Sequence, residues 1–225
     1  MKIGIMKKIF FFFLISLCLN MTSCNVEEII GDLDDPKITA KEKLSEIINE
    51  AKVDFVVDAE LASIYGLNVD TNGEINLQSL GNAFVYVVQS DFLQANEFYV
   101  PVFNSSPVRS PINFNSILIF IKDSTAKNIL TFAFGKLSTL NIDPSLAYDD
   151  SPAALNQLLT RSDVSAFRTI FPNSKIDMML LPGKSIDSLS VINSADWVVN
   201  FYSENTSLVL WINSARDTVI NLSEL

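Results

Sequence analysis

Apolar residues recur on two different periods along this chain. In the stretch that follows Thr39 they fall at Leu44, Ile47, Ile48 and Ala51, the i, i+3, i+4, i+7 spacing of a single helix face. Thr39-Ala40-Lys41-Glu42 opens that helix as a capping box, in which the Thr39 hydroxyl and the Glu42 carboxylate satisfy each other's backbone amides. A second, short helix is predicted after Asp58, with Leu61, Ile64 and Tyr65 on one side and Gly66 at its stop. Asn72-Gly73 reads as a tight turn, because both residues tolerate positive φ.

From residue 82 the period changes to two. The runs 82–89 (NAFVYVVQ), 97–103 (EFYVPVF), 117–121 (ILIFI) and 129–134 (ILTFAF) are aromatic and β-branched, and predict adjacent antiparallel strands. Residues 139–150, with their Pro and Asp, interrupt the strands. Ser151-Pro152 then starts a helix whose apolar face is Leu155, Leu158 and Leu159, and a short helix over 164–171 ends at Pro172. Strand patterns resume at 176–181, 197–202, 207–213 and 218–222.

The pattern predicts an α+β fold in which helices pack on antiparallel sheet. Residues 39–138 and 139–225 each run helix, short helix, turn and strands, the order expected of two tandem helix-plus-sheet repeats. The best local match sets Asn82-Ala83-Phe84-Val85-Tyr86 beside Ser194-Ala195-Asp196-Trp197-Val198 with one inserted residue. Whether the two units stand apart or share one domain stays open on the sequence. A helix on a curved antiparallel sheet, repeated in tandem, resembles the PepSY-like and cystatin-like arrangements of bacterial envelope proteins. The stretch 58–103, with DAELASIYGLNVDTNG leading to the strand at Phe84-Val85-Tyr86, carries that likeness. It implies an inhibitory or chaperoning role, and no functional residue carries over.

Ahead of the periodic region stands a different pattern. Residues 1–8 carry Lys2, Lys7 and Lys8 and no acid, and are followed by an apolar run over 9–19, IFFFFLISLCL. Its eleven residues cover only about 16 Å of a roughly 30 Å hydrocarbon core, too short for a stable transmembrane anchor and right for a cleaved export signal. The chain then reads Met21-Thr22-Ser23-Cys24, which resembles a lipobox with Met21 in the place usually held by Leu. The resemblance implies a lipoprotein signal over residues 1–23, cleavage between Ser23 and Cys24, a diacylglyceryl group on the Cys24 sulfur and acylation of the new amino group. Several chains on one residue hold a protein to a bilayer firmly.

Asn25-Val26-Glu27-Glu28 is similar to the acidic surface-export signals of Bacteroidetes lipoproteins. It implies an outer-membrane lipoprotein exposed at the cell surface, the periplasmic face being the alternative. Residues 24–38 then serve as lipidated N-terminus and tether, reaching at most about 45 Å when extended.

Composition narrows the chemistry. Removal of the signal takes three of the 16 basic residues with it, leaving 13 against 26 acidic ones and a formal charge of −13. Nucleic acid and anionic lipid headgroups are therefore excluded as expected partners. Of the two cysteines, Cys18 leaves with the signal and Cys24 is blocked by lipid, and the chain has no histidine. Ser-His-Asp and Cys-His nucleophiles and histidine-ligated zinc are thereby removed together.

The motifs that remain fail on their partners. Ser124-Thr125-Ala126-Lys127 has the S-x-x-K spacing of β-lactamase-like enzymes but lacks the accompanying K-T-G and S-D-N, and reads as a hairpin loop. Asp70-Thr71-Asn72-Gly73-Glu74 starts like a calcium loop, yet Ile75 and Gly81 stand where an EF-hand needs Gly and Glu. Gly183-Lys184-Ser185 ends like a phosphate loop whose first glycine is replaced by Met178, so Pro182-Gly183 reads as a turn. Asp34-Asp35 and Asp149-Asp150 are adjacent in sequence, which does not set two acids across a sugar.

Alternation places Trp197, Val199 and Phe201 on one side of a strand and Val198, Asn200 and Tyr202 on the other. Trp197 is expected in the core, with Tyr202 and Trp211 as candidate ligand-contact aromatics. The expectation is a membrane-anchored, non-catalytic binding or scaffolding module without metal or cofactor, acting on an envelope protein or a glycan. A carboxylate-dependent hydrolase is the alternative in which an enzyme survives.

Overall fold

The computed structural model describes residues 37–79, 81–90, 97–100, 102–103, 111–113, 141–186, 193–203 and 206–224. The expected signal over residues 1–23, Cys24, the acidic cluster behind it, Asp34-Asp35, Ser124 with Lys127, and the runs 117–121 and 129–134 lie outside the described residues. The fold is α+β. The first half supplies β1 (Lys37–Ile38), α1 (Leu44–Asp54), β2 (Glu60–Leu67), β3 (Ile75–Asn76), β4 (Ala83–Gln89), β5 (Glu97–Tyr99), β6 (Val102–Phe103) and β7 (Pro111–Asn113). The second supplies α2 (Ser151–Leu159), α3 (Ser162–Ile170), β8 (Lys175–Pro182), α4 (Gly183–Ile186), β9 (Ala195–Ser203), β10 (Thr206–Asn213) and β11 (Thr218–Asn221).

All strands but β1 and β3 join one antiparallel sheet in the order β11-β10-β9-β8-β2-β4-β5-β7, with β6 also against β4. The halves meet where β2 pairs β8, at Ile64↔Leu180, Tyr65↔Met179 and Gly66↔Met178. This seam turns what would be two open sheet edges into ladder. From it each half runs outward alike: β4 flanks β2 as β9 flanks β8, so Phe84 and Trp197 stand on corresponding strands. One helix, α1, precedes β2, and two, α2 and α3, precede β8.

The core lies on one face of the sheet. Ile64 of β2, Phe84 and Tyr86 of β4, Met178 and Leu180 of β8, Trp197 and Phe201 of β9 and Leu210 of β10 form a single cluster with Ile47 and Ala51 of α1 and Leu155 and Leu158 of α2. Trp197 is 1% exposed and its indole N–H donates to the Asp149 carbonyl at 2.9 Å, so the expectation of a core tryptophan holds.

Three local expectations are corrected. The short helix after Asp58 is strand β2. A β-bulge between Leu61 and Ser63 sets Leu61 opposite Val88 and Ile64 opposite Tyr86, so two core-facing residues stand three apart within a strand and imitate helical spacing. Lys37 and Ile38, expected at the end of the tether, pair instead with Asn76 and Ile75 of β3, and Ile38 is buried. The turn expected at Pro182-Gly183 is a strand running directly into the one-turn helix α4.

The capping box expected at Thr39 does not open α1, which starts at Leu44 with Lys43 as its N-cap and no side-chain cap hydrogen bond. The Thr39 amide donates to Glu42 Oε2 at 3.3 Å, but the Thr39 hydroxyl donates to Asp150 Oδ2 at 2.7 Å, 111 residues away. Asp150 also receives the Lys41 amide and, as N-cap of α2, the Ser151 amide. Ser151, fully buried, accepts the Ala40 N–H at 3.0 Å and donates to the Gly73 carbonyl at 2.6 Å. Tyr86 reaches the Ala40 carbonyl from the sheet. Gly73, at φ +80, lies so close to α2 that a Cβ there would sit 2.5 Å from the Pro152 nitrogen. The entry segment, the 70–74 turn and the start of α2 are thus fastened at one point.

Candidate functional site

The face of the sheet turned away from the core helices changes character along its width. On β2 and β4 it is closed, with Tyr65, Val85 and Val87 at most 4% exposed. On β8, β9 and β10 the same face carries Asp177, Met179, Val198, Asn200, Tyr202, Ser207 and Val209, all half-buried, beside the exposed Lys175. Polar and apolar groups alternate here because every second residue of β8 and β9 points this way while Ile176, Met178, Val199 and Phe201 point into the core.

Within this surface Asp177 is the centre of a polar cluster. Its Oδ1 accepts the Asn68 backbone N–H at 2.8 Å and lies 3.5 Å from the Tyr202 hydroxyl. Asn68 reaches it by taking a left-handed conformation, φ 51, just beyond the end of β2, and its side-chain amide donates to Asn82 Oδ1. Asparagine accepts that conformation more readily than most residues. Asn200 is the direct cross-strand neighbour of Asp177, and its Oδ1 is buried without a donor among the described residues. Burial pushes the Asp177 carboxyl up to about 6, against the smaller opposing effects of the Asn68 amide, the Tyr202 hydroxyl and Lys175. Desolvation and then the nearby Asp177 charge push the Tyr202 phenol up as well.

The two aromatics singled out from the sequence part company. Tyr202 lies in the half-buried surface beside Asp177. Trp211 is only 7% exposed, and its indole N–H donates to Asp196 Oδ2 at 2.9 Å, so it offers no open platform. Asp196 is itself fully buried and also receives the Ser214 amide at 3.0 Å. Gly183 permits this closure, because a Cβ there would fall 2.1 Å from Ser194 Oγ and 2.8 Å from Asp196 Oδ2.

The other sequence candidates resolve into structural parts. At the 70–74 turn, Asp70 Oδ1 accepts the amides of Asn72 and Glu74 and Oδ2 pairs with Lys37 at 2.9 Å. Burial works against that carboxylate, but Lys37 and the two amides outweigh it and hold the pKa below the ordinary value. Asp149 offers its carbonyl to Trp197 while Asp150 caps α2, so the pair serves two different elements. Among the described residues no group of three or more His, Cys, Asp or Glu side chains gathers in a way that could hold a metal ion, and no helix is long and apolar enough to cross a membrane.

Asp177, Asn200 and Asn68 carried no mark in the sequence. The strand alternation puts Asp177 and Asn200 off the core face, but their pairing needs the β8–β9 register, and Asn68 arrives from 109 residues away. Compared with family models, curated proteins and solved structures, the chain finds no match.

Proposed function

We propose that this chain is a membrane-anchored cell-envelope lipoprotein, lipidated on Cys24, whose folded body works as a binding or scaffolding module without catalysis. The observation that supports contact is the mixed surface of β8–β10 around Tyr202, where half-buried Met179, Val198 and Val209 alternate with Asp177, Asn200 and Ser207. Apolar area with a few fixed polar groups is what recognition of an envelope protein or a glycan requires. The acidic cluster behind Cys24 favours display on the outer surface of the outer membrane.

Two experiments test this reading. Labelled palmitate is expected in the wild-type chain and absent from Cys24→Ala; equal labelling removes the anchor. Crosslinking in intact envelopes is expected to retain a partner in Tyr202→Phe and lose it in Tyr202→Ala. A partner held equally by both variants and the wild type places the contact elsewhere. Turnover of a polysaccharide or peptide would favour the carboxylate-dependent hydrolase instead.

A further inference from the structure

We propose that Asp177 and Asn200 form a proton-operated latch across β8 and β9, in which the protonated Asp177 carboxyl donates its hydrogen to the Asn200 side-chain carbonyl and ionisation releases it. The two residues are direct antiparallel partners, a placement that brings Cβ atoms to about 4.5–5.5 Å and lets short side chains meet. Asp177 Oδ1 is occupied by the Asn68 amide and the Tyr202 hydroxyl, while Oδ2 has no hydrogen bond among the described residues. On its cross-strand partner, Asn200 Oδ1 is a buried acceptor with no donor among the described residues.

An ionised carboxylate cannot supply that donor, since it only accepts. One hydrogen on Oδ2 supplies it and leaves the bonds to Oδ1 in place. Among the described residues the charged and titratable groups facing Asp177 are Lys175 on its own strand and Tyr202 on β9; the turn after β2 presents the Asn68 amide, and β10 presents Ser207 and Val209 on this face. Lys175 and Tyr202 favour the ionised carboxylate, whereas burial opposes it strongly enough to bring the titration to about 6. The latch is independent of whether this face meets a partner.

The test is an NMR titration of the full chain in detergent micelles, following the Asp177 side-chain carboxyl carbon in wild type, Asn200→Ala and Tyr202→Phe. Loss of the acceptor in Asn200→Ala is expected to lower the midpoint by about 0.5–1 pH unit. Loss of the hydroxyl in Tyr202→Phe is expected to raise it. An unchanged midpoint in Asn200→Ala overturns the latch, and so does a raised one, which would mean that Asn200 presents its NH2 to a carboxylate. If Asn200→Ala does not fold, the wild type decides: the Asn200 side-chain amide must titrate with the Asp177 midpoint, and a silent Asn200, or an Asp177 titrating near its ordinary 3.8, refutes the proposal.

Discussion

Single residues in this protein act at long range, and Ser151 is the clearest case. Its hydroxyl holds the Ala40 amide and the Gly73 carbonyl in a place closed to water. Ser151→Ala leaves both without a partner and is expected to cost about 1–3 kcal/mol of stability, read as a lower urea midpoint with an unchanged slope. Thr39→Ala removes one hydroxyl from a part-buried bond and should cost about 1 kcal/mol. A Thr39→Ala loss equal to that of Ser151→Ala would mean that burial at this junction matters little. Asp177 gives a prediction of opposite kind. Its folded pKa of about 6 stands above the ordinary 3.8, so its contribution is fully present below pH 4 and is lost as pH rises through 6. Asp177→Asn cannot ionise, and its stability relative to wild type is expected to grow between pH 4 and 6 by on the order of 2 kcal/mol and then level off. Parallel urea-midpoint profiles for the two proteins would contradict the buried carboxyl.

At the scale of elements, most helices and strands could be read from period alone, and the failures have physical causes. β4, β8, β9 and β10 were legible because in each the core-facing residues fall two apart without interruption: Phe84, Tyr86 and Val88; Ile176, Met178 and Leu180; Trp197, Val199 and Phe201; Leu208, Leu210 and Ile212. β2 was not, because its bulge shifts the phase by one residue at Ala62 and its inward residues fall three apart. The polar cluster was illegible for a related reason: Tyr202 could be picked out by type, but Asp177, Asn200 and Asn68 acquire meaning only once β8–β9 register and the turn after β2 bring them together. Deleting Ala62 should convert the bulge into plain alternation and keep Leu61 and Ile64 on the core face. Deleting Val85 from bulge-free β4 would turn one side of that strand inside out. The first deletion is therefore expected to retain a cooperative urea transition and the second to abolish it; the reverse outcome would assign the bulge an indispensable structural role.

At the scale of the whole molecule the question left open by the sequence was whether its two units are separable. The seam between β2 and β8 is internal to one sheet and one apolar cluster crosses it, which argues for a single cooperative unit. Ile64 and Phe84 from the first half pack in the same core as Leu155, Leu180 and Trp197 from the second. The polar junction adds a second crossing, from Thr39, Ala40 and Gly73 to Asp150 and Ser151. Separating the halves would uncover the ladder groups of β2 and β8 together with their apolar faces, and the amides and carbonyl held at Ser151 would lose their partners. An isolated half keeps its local helices and hairpins but loses burial that helix propensity cannot replace. The full chain is accordingly expected to melt in one calorimetric transition whose van't Hoff and calorimetric enthalpies agree. Residues 139–225 expressed alone should show no cooperative transition, and should regain one when residues 24–138 are supplied in trans. Two resolved transitions in the full chain, or a cooperative melt of 139–225 by itself, would make the seam an interface between independently stable units.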